Sequence, residues 1–91
     1  MNRKVYETTQ FKKDYKLMKK RGLNINLLKD CIRILVAEEE LPPKYRDHSL
    51  TGNWSGYREC HIQTDWLLIY RIENNNLILV LSRTGSHSDL F

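Results

Sequence analysis

The sequence predicts an α+β fold: a small antiparallel sheet packed against an N-terminal antiparallel pair of helices. Three observations carry this. Apolar residues recur at helical spacing through residues 9–36, they alternate or run continuously through 57–81, and Pro42-Pro43 with Gly52 and Gly56 separate the two regimes. The order expected is β-α-α-β-β-β in a single domain over residues 1–91, because ninety-one residues can bury one modest core.

Each element has a local reason. Arg3-Lys4-Val5-Tyr6-Glu7 suits a first strand, and Thr8-Thr9 hands it over to a helix cap. Phe11, Tyr15 and Met18 then stand at i, i+4 and i+7, one face of a helix whose other face carries lysines, and Gly22 suits its C-terminal cap. Asn24 or Asn26 can cap a second helix with a stripe of Leu28, Cys31, Ile32 and Leu35, and Pro42-Pro43 forbids its continuation. So short a link requires the two helices to run antiparallel. Glu38-Glu39-Glu40 at the end of the second helix opposes the helix dipole, and the sequence offers no compensating group. After a loop over residues 44–55, Tyr57, Glu59 and His61 alternate with Arg58, Cys60 and Ile62. Trp66 to Ile72 is apolar on both faces apart from Arg71, as a central strand would be, and Leu77 to Leu81 is apolar throughout. Glu73-Asn74-Asn75-Asn76 supplies the turn between them.

Composition narrows the function. A hydrophobic share of 41% with 29% charged residues is that of a soluble globule. No run approaches the roughly 18 apolar residues of a membrane span, so no membrane association and a cytoplasmic location are expected. Cys31 and Cys60 have no CxxC spacing, which excludes a zinc ribbon or a disulfide framework. The net charge of +4 favours polyanions, and eight of the fifteen cations fall within the first 21 residues. Lys12, Lys13, Lys16, Lys19 and Lys20 on the first helix form either a solvated face or an electrostatic footprint for a polyanion such as RNA, DNA or an acidic protein. The same helix supplies core residues, so it is not a recognition helix for specific DNA binding.

All three histidines, His48, His61 and His87, lie in the second half. Asp65 follows His61 by four residues across a bend at Gln63-Thr64, where its carboxylate is expected to fold back and orient the ring. His87 follows Gly85-Ser86, which lets the chain turn over the end of the sheet. Three strands ending near one another would gather the rings into one acid–base site. Their spacings of 13 and 26 residues match no compact ligand motif, so neither a metal nor another cofactor is expected. Arg83 is the candidate phosphate contact, Phe91 at the chain end either stacks on a base or plugs the sheet from below, and Trp54, Tyr57, Trp66 and Tyr70 read as core or half-buried sheet residues.

The text Tyr45-x-Asp47-His48-x-Leu50-x-Gly52-x-Trp54-x-Gly56-Tyr57-Arg58-x-x-His61, then Asp65-Trp66-x-Leu68-x-Tyr70, then Arg83-Thr84-Gly85-Ser86-His87-x-x-Leu90-Phe91 resembles the YafQ branch of the RelE-like bacterial toxins. These are ribosome-dependent mRNA endonucleases of type II toxin-antitoxin modules. The resemblance covers nearly all of the C-terminal half closely and the helical half by pattern. It implies that His48, His61, Asp65 and His87 form the catalytic cluster, that Phe91 and Trp66 contact substrate, and that a cognate antitoxin protein, the ribosome and mRNA are partners. Glu59 stands where an aspartate is frequent and Thr64 where a proline often precedes the aspartate, which lengthens one carboxylate and loosens the bend.

The expected reaction is metal-independent cleavage through the RNA 2′-hydroxyl. His61 with Asp65 would act as base, His87 as acid, His48 as a positioning group and Arg83 as phosphate stabiliser, with base and acid exchangeable. The first-helix lysines would then serve the ribosome or the mRNA backbone. The alternative is a binding module of the same fold that holds nucleic acid or an acidic partner without turnover.

Overall fold

The computed structural model describes residues 2–91. A sheet in the order β1-β5-β4-β3-β2 carries two helices on one face and a short third helix beyond its last strand. The strands are β1 (Lys4–Glu7), β2 (His48–Ser49), β3 (Arg58–Gln63), β4 (Trp66–Glu73) and β5 (Ile78–Gly85); the helices are α1 (Thr9–Lys20), α2 (Ile25–Val36) and α3 (His87–Leu90). The meander β3-β4-β5 is antiparallel as expected, and the two-residue β2 extends it antiparallel to β3. β1 makes the sheet mixed, because it returns beside β5 in parallel register, Val5 opposite Leu79.

Local chemistry accounts for the helix limits. Thr8 accepts from the Phe11 N–H at 3.0 Å and donates to the Ser82 carbonyl at 2.9 Å, so one side chain caps α1 and ties it to β5. Gly22, at φ +82°, ends α1 in a Schellman arrangement: Gly22 N–H reaches the Lys19 carbonyl and Leu23 N–H the Met18 carbonyl. Asn24 caps α2 by accepting from Asn26 N–H at 3.1 Å. The acidic run proves to lie beyond α2, with Glu38 at φ +61° already outside the helix. The cation at the C-terminal end of the α2 dipole is Arg3, whose guanidinium donates to the Leu35 carbonyl at 2.6 Å while its backbone N–H donates to the Val36 carbonyl.

The alternation of β3 and β4 sorts the residues into two clusters. Phe11, Met18, Leu28, Cys31 and Leu35 of the helices meet Cys60, Trp66, Leu68, Tyr70, Leu79 and Leu81 on one face. On the other face Leu67 and Ile69 are roofed by Leu90 of α3 and by half-buried Leu50, Trp54 and Tyr57. This second cluster explains why β4 is apolar on both faces. Cys31 and Cys60 are free, fully buried thiols with sulfurs 3.5 Å apart, and their contact and burial push the Cys60 thiol far above its usual range. Asn74, Asn75 and Asn76 all adopt positive φ in the β4-β5 turn, the conformation for which asparagine is suited.

Candidate active site

Glu59 and His61 point to the same side of β3, away from Cys60 and the helices, and this strand face begins the site. β2 places His48 directly opposite Glu59. α3 adds His87 as its first residue. The three rings form a row, with centroids 6.3 Å apart for His48 and His61 and 5.9 Å for His61 and His87. Glu59 is 5% exposed beneath them, its Oε1 3.6 Å from His48 Nε2 and 4.0 Å from His61 Nε2.

Each ring is held differently. His48 Nδ1 lies 2.8 Å from the Arg46 carbonyl, which only accepts, so that nitrogen carries the proton and Nε2 faces Glu59. His87 Nδ1 lies 2.7 Å from Asp65 Oδ1, and the same oxygen accepts the His87 backbone N–H at 2.9 Å. These bonds hold the Asp65 carboxyl below its ordinary range, so it stays anionic and keeps His87 Nε2 as the ring's free atom. Asp65 therefore does not orient His61, contrary to expectation. The turn falls at Thr64-Asp65 and an irregular register between His61 and Gln63 turns the aspartate toward α3 instead. His61 has Glu59 as its acidic neighbour, and its Nδ1 is buried without a hydrogen-bond partner among the described residues.

Two carboxylates beside the histidines position the site through partners distant in sequence. Asp47 accepts from Tyr70 Oη at 2.5 Å and from Arg58 Nε and Nη2 at 3.1 and 2.8 Å, while Arg58 also donates to Ser49 Oγ. This clamp fastens the residues on both sides of His48 to β3 and β4. Asp89 completes a capping box with Ser86 and takes two bonds from Arg21, the C-cap of α1, at 2.7 and 3.0 Å, which holds its carboxyl well below the usual range. At Gly85 an added Cβ would meet Asp89 Cβ and Oδ2 at 3.0 Å, tighter than ordinary contact, so the absent side chain spares Asp89 and α3 a small displacement. The sequence reading missed both clamps; Tyr70, the only tyrosine within β4, was the available hint.

Other expected contacts are redistributed. Trp66 is 2% exposed and donates from Nε1 to Thr84 Oγ1 at 2.9 Å; it is a core residue, with no surface left for substrate. Arg83 is engaged in two bonds with Asp14 of α1, at 2.7 and 3.2 Å, because that buried carboxylate needs a counter-charge. Lys12, Lys13, Lys16, Lys19 and Lys20 are exposed on α1, across the sheet from the histidines. Phe91 is 59% exposed and stands edge-on to Trp54, which in turn stands edge-on to Tyr57, giving an aromatic wall beside the row of rings. Ligand atoms of Glu59, His61 and His87 lie within 4.8 Å of one another, so folding assembles a potential metal-ligand set that the spacing did not announce.

A model for the bacterial toxin YafQ of type II toxin-antitoxin systems matches residues 3–91. The chain belongs to the YafQ toxin family. The mRNA interferase toxin YafQ of Escherichia coli strain K12 is 39% identical over 92 residues, covering 100% of this chain and 98% of that one. YafQ in the crystal structure of the E. coli DinJ-YafQ toxin-antitoxin complex superimposes with a TM-score of 0.90 at 39% identity, over 100% and 99% of the two chains. A metal-bound toxin from Helicobacter pylori gives 0.90 at 41% identity over the whole of both chains. The α+β architecture expected from the sequence is thus that of the YafQ toxins.

Proposed function

We propose that this protein is an mRNA endonuclease toxin that cuts translated mRNA on the ribosome in the cytoplasm and is neutralised by a cognate antitoxin. The observation that carries the reading is the row of three imidazoles on an open sheet face, with His87 held by Asp65 and its Nε2 left free. The YafQ relatives named as mRNA interferases, and the one crystallised with DinJ, support it.

In the proposed reaction the RNA 2′-hydroxyl attacks its neighbouring phosphorus as His61 removes the 2′ proton. The bond from phosphorus to the 5′-oxygen breaks, and His87 Nε2 delivers a proton to that oxygen. The products are a 2′,3′-cyclic phosphate and a 5′-hydroxyl. Asp65 serves His87, holding the ring as the acid, and Glu59 takes the place beside His61 that the sequence reading gave to Asp65. His48 is the positioning ring, Phe91 is the stacking surface, and the α1 lysines meet the ribosome.

The test is cleavage of mRNA on programmed ribosomes. His87→Ala loses about two to four decades of rate while its circular dichroism and unfolding midpoint stay unchanged, because acid catalysis contributes on the order of 10²- to 10⁴-fold. Retained activity, or equal cutting of a message lacking the 2′-hydroxyl at the cut site, sinks the mechanism. No cleavage by the intact protein would favour a binding module without turnover.

A second reading of the same atoms is favoured by the Glu59, His61 and His87 set. One carboxylate and two imidazoles suit zinc or copper, and an ion held there would occupy the nitrogens that move protons.

A further inference from the structure

We propose that Arg46, with Lys44 beside it, holds a backbone phosphate of the RNA strand next to the scissile linkage. This rests on the endonuclease reading above. It starts from the fate of the other arginines. Arg21, Arg33, Arg58, Arg71 and Arg83 each pair with a carboxylate, and Arg3 is taken up by carbonyl oxygens and Asn76. Among the described residues, Arg46 is the arginine whose guanidinium has neither an ion pair nor a hydrogen bond. It is also the arginine two residues before His48.

The topology makes room for an anion there. β2 pairs only Ser49 and His48, with Arg58 and Glu59, so β3 beyond Glu59 has no outer neighbour strand. The 3-10 turn Pro43–Tyr45 crosses that gap instead, and a cleft of about 190 Å³ remains, lined by Lys44, Arg46, His61, Ile62, Gln63 and Thr64. Two cations therefore share a cleft with a ring of the catalytic row, and no carboxylate lines it. Arg46 has positive φ, 49°, and its carbonyl accepts from the His48 ring, so its main chain is anchored to the site while its side chain stays free. A guanidinium fork matches phosphate oxygens two at a time, whereas the Lys44 ammonium, 5.2 Å from the Tyr45 ring centre, adds charge without a fixed geometry.

Arg46→Gln removes the charge and leaves the carbonyl that orients His48. On programmed ribosomes it raises KM about tenfold with little change in kcat, and it flattens the salt dependence by roughly 0.7 in log–log slope, the value of one lost single-strand phosphate contact. Arg46→Lys restores the salt slope but only part of the KM, since the charge returns without the fork, and Arg33→Gln, on α2, changes neither quantity. A wild-type KM and slope in Arg46→Gln, or a loss confined to kcat, overturns the assignment. A second measurement stands apart from cleavage: inorganic phosphate shifts the His61 ring signals in nuclear magnetic resonance spectra of the wild type and fails to do so in Arg46→Gln. Unmoved His61 signals in the wild type also overturn it. A phosphate response without any RNA cleavage supports the phosphate site and defeats the endonuclease reading instead.

Discussion

Tyr70→Phe deletes one oxygen and tests whether the Asp47 clamp is a mechanical support of the site. The Tyr70 hydroxyl is enclosed, the residue being 2% exposed, and burial followed by the bond to Asp47 raises its pKa far beyond the usual tyrosine range. It therefore acts as a permanent donor. A hydrogen bond to a charged acceptor contributes about 1.5–3 kcal/mol. Asp47 keeps its two bonds from Arg58, so no buried charge is stranded and the loss should sit near the middle of that range, about 2 kcal/mol. Against a total of roughly 5–15 kcal/mol for a domain this is a large fraction. With an m value of about 1–2 kcal/mol per molar, the urea midpoint falls by about 1–2 M. Cleavage on programmed ribosomes should fall less than in His48→Ala, because the clamp only holds the strand that carries the ring. An unchanged midpoint would refute the reasoning and leave Arg58 as the sole holder of Asp47.

Three further outcomes follow from the same geometry. Trp66→Ala should cost about 3–5 kcal/mol by chemical denaturation, the range for a buried aromatic, whereas a surface substrate contact would lose activity and keep its stability. The carboxyls of Asp65 and Asp89 are both held below their ordinary values, so they stabilise α3 above about pH 4 and that support is lost as pH falls through their lowered values. The exchange protection of residues 87–91, taken relative to the intrinsic amide rate at each pH, should accordingly fall only in acid; a loss of protection near neutrality would contradict control by the carboxylates. Zinc or copper added in slight excess should suppress cleavage, a chelator should restore it, and Glu59→Gln should weaken the suppression; activation by the metal would overturn the competition between ion and proton transfer.

Much of the scaffold is written locally. The stripe Phe11, Tyr15, Met18, the stop at Gly22 and the asparagine turn act through neighbours a few residues away and lie where the sequence put them, and the structure chooses Thr8 from Thr8-Thr9 and Asn24 over Asn26 as the caps. The alternation that separates Glu59 and His61 from Cys60 belongs to the same class, since it follows from the pleat alone. The gathering of three histidines was legible too, because strands joined by short turns must end near one another.

The carboxylate partners were decided elsewhere. Asp65 serves His87 rather than His61, Asp14 takes Arg83, and Asp89 takes Arg21, over separations of 22, 69 and 68 residues. Which carboxylate meets which cation depends on strand register, on the irregularity between His61 and Gln63, and on how far α1 reaches along β5. A displacement of one residue turns a side chain to the other face of the sheet. The sequence by itself thus determined α1, α2, β1, the β3-β4-β5 meander and the pleat alternation along β3, whereas β2 and α3, which carry His48 and His87 into the row, came only with the fold. Only the packed structure decided the charge partners, because electrostatic pairing acts over a few ångströms in space and carries no trace in spacing along the chain.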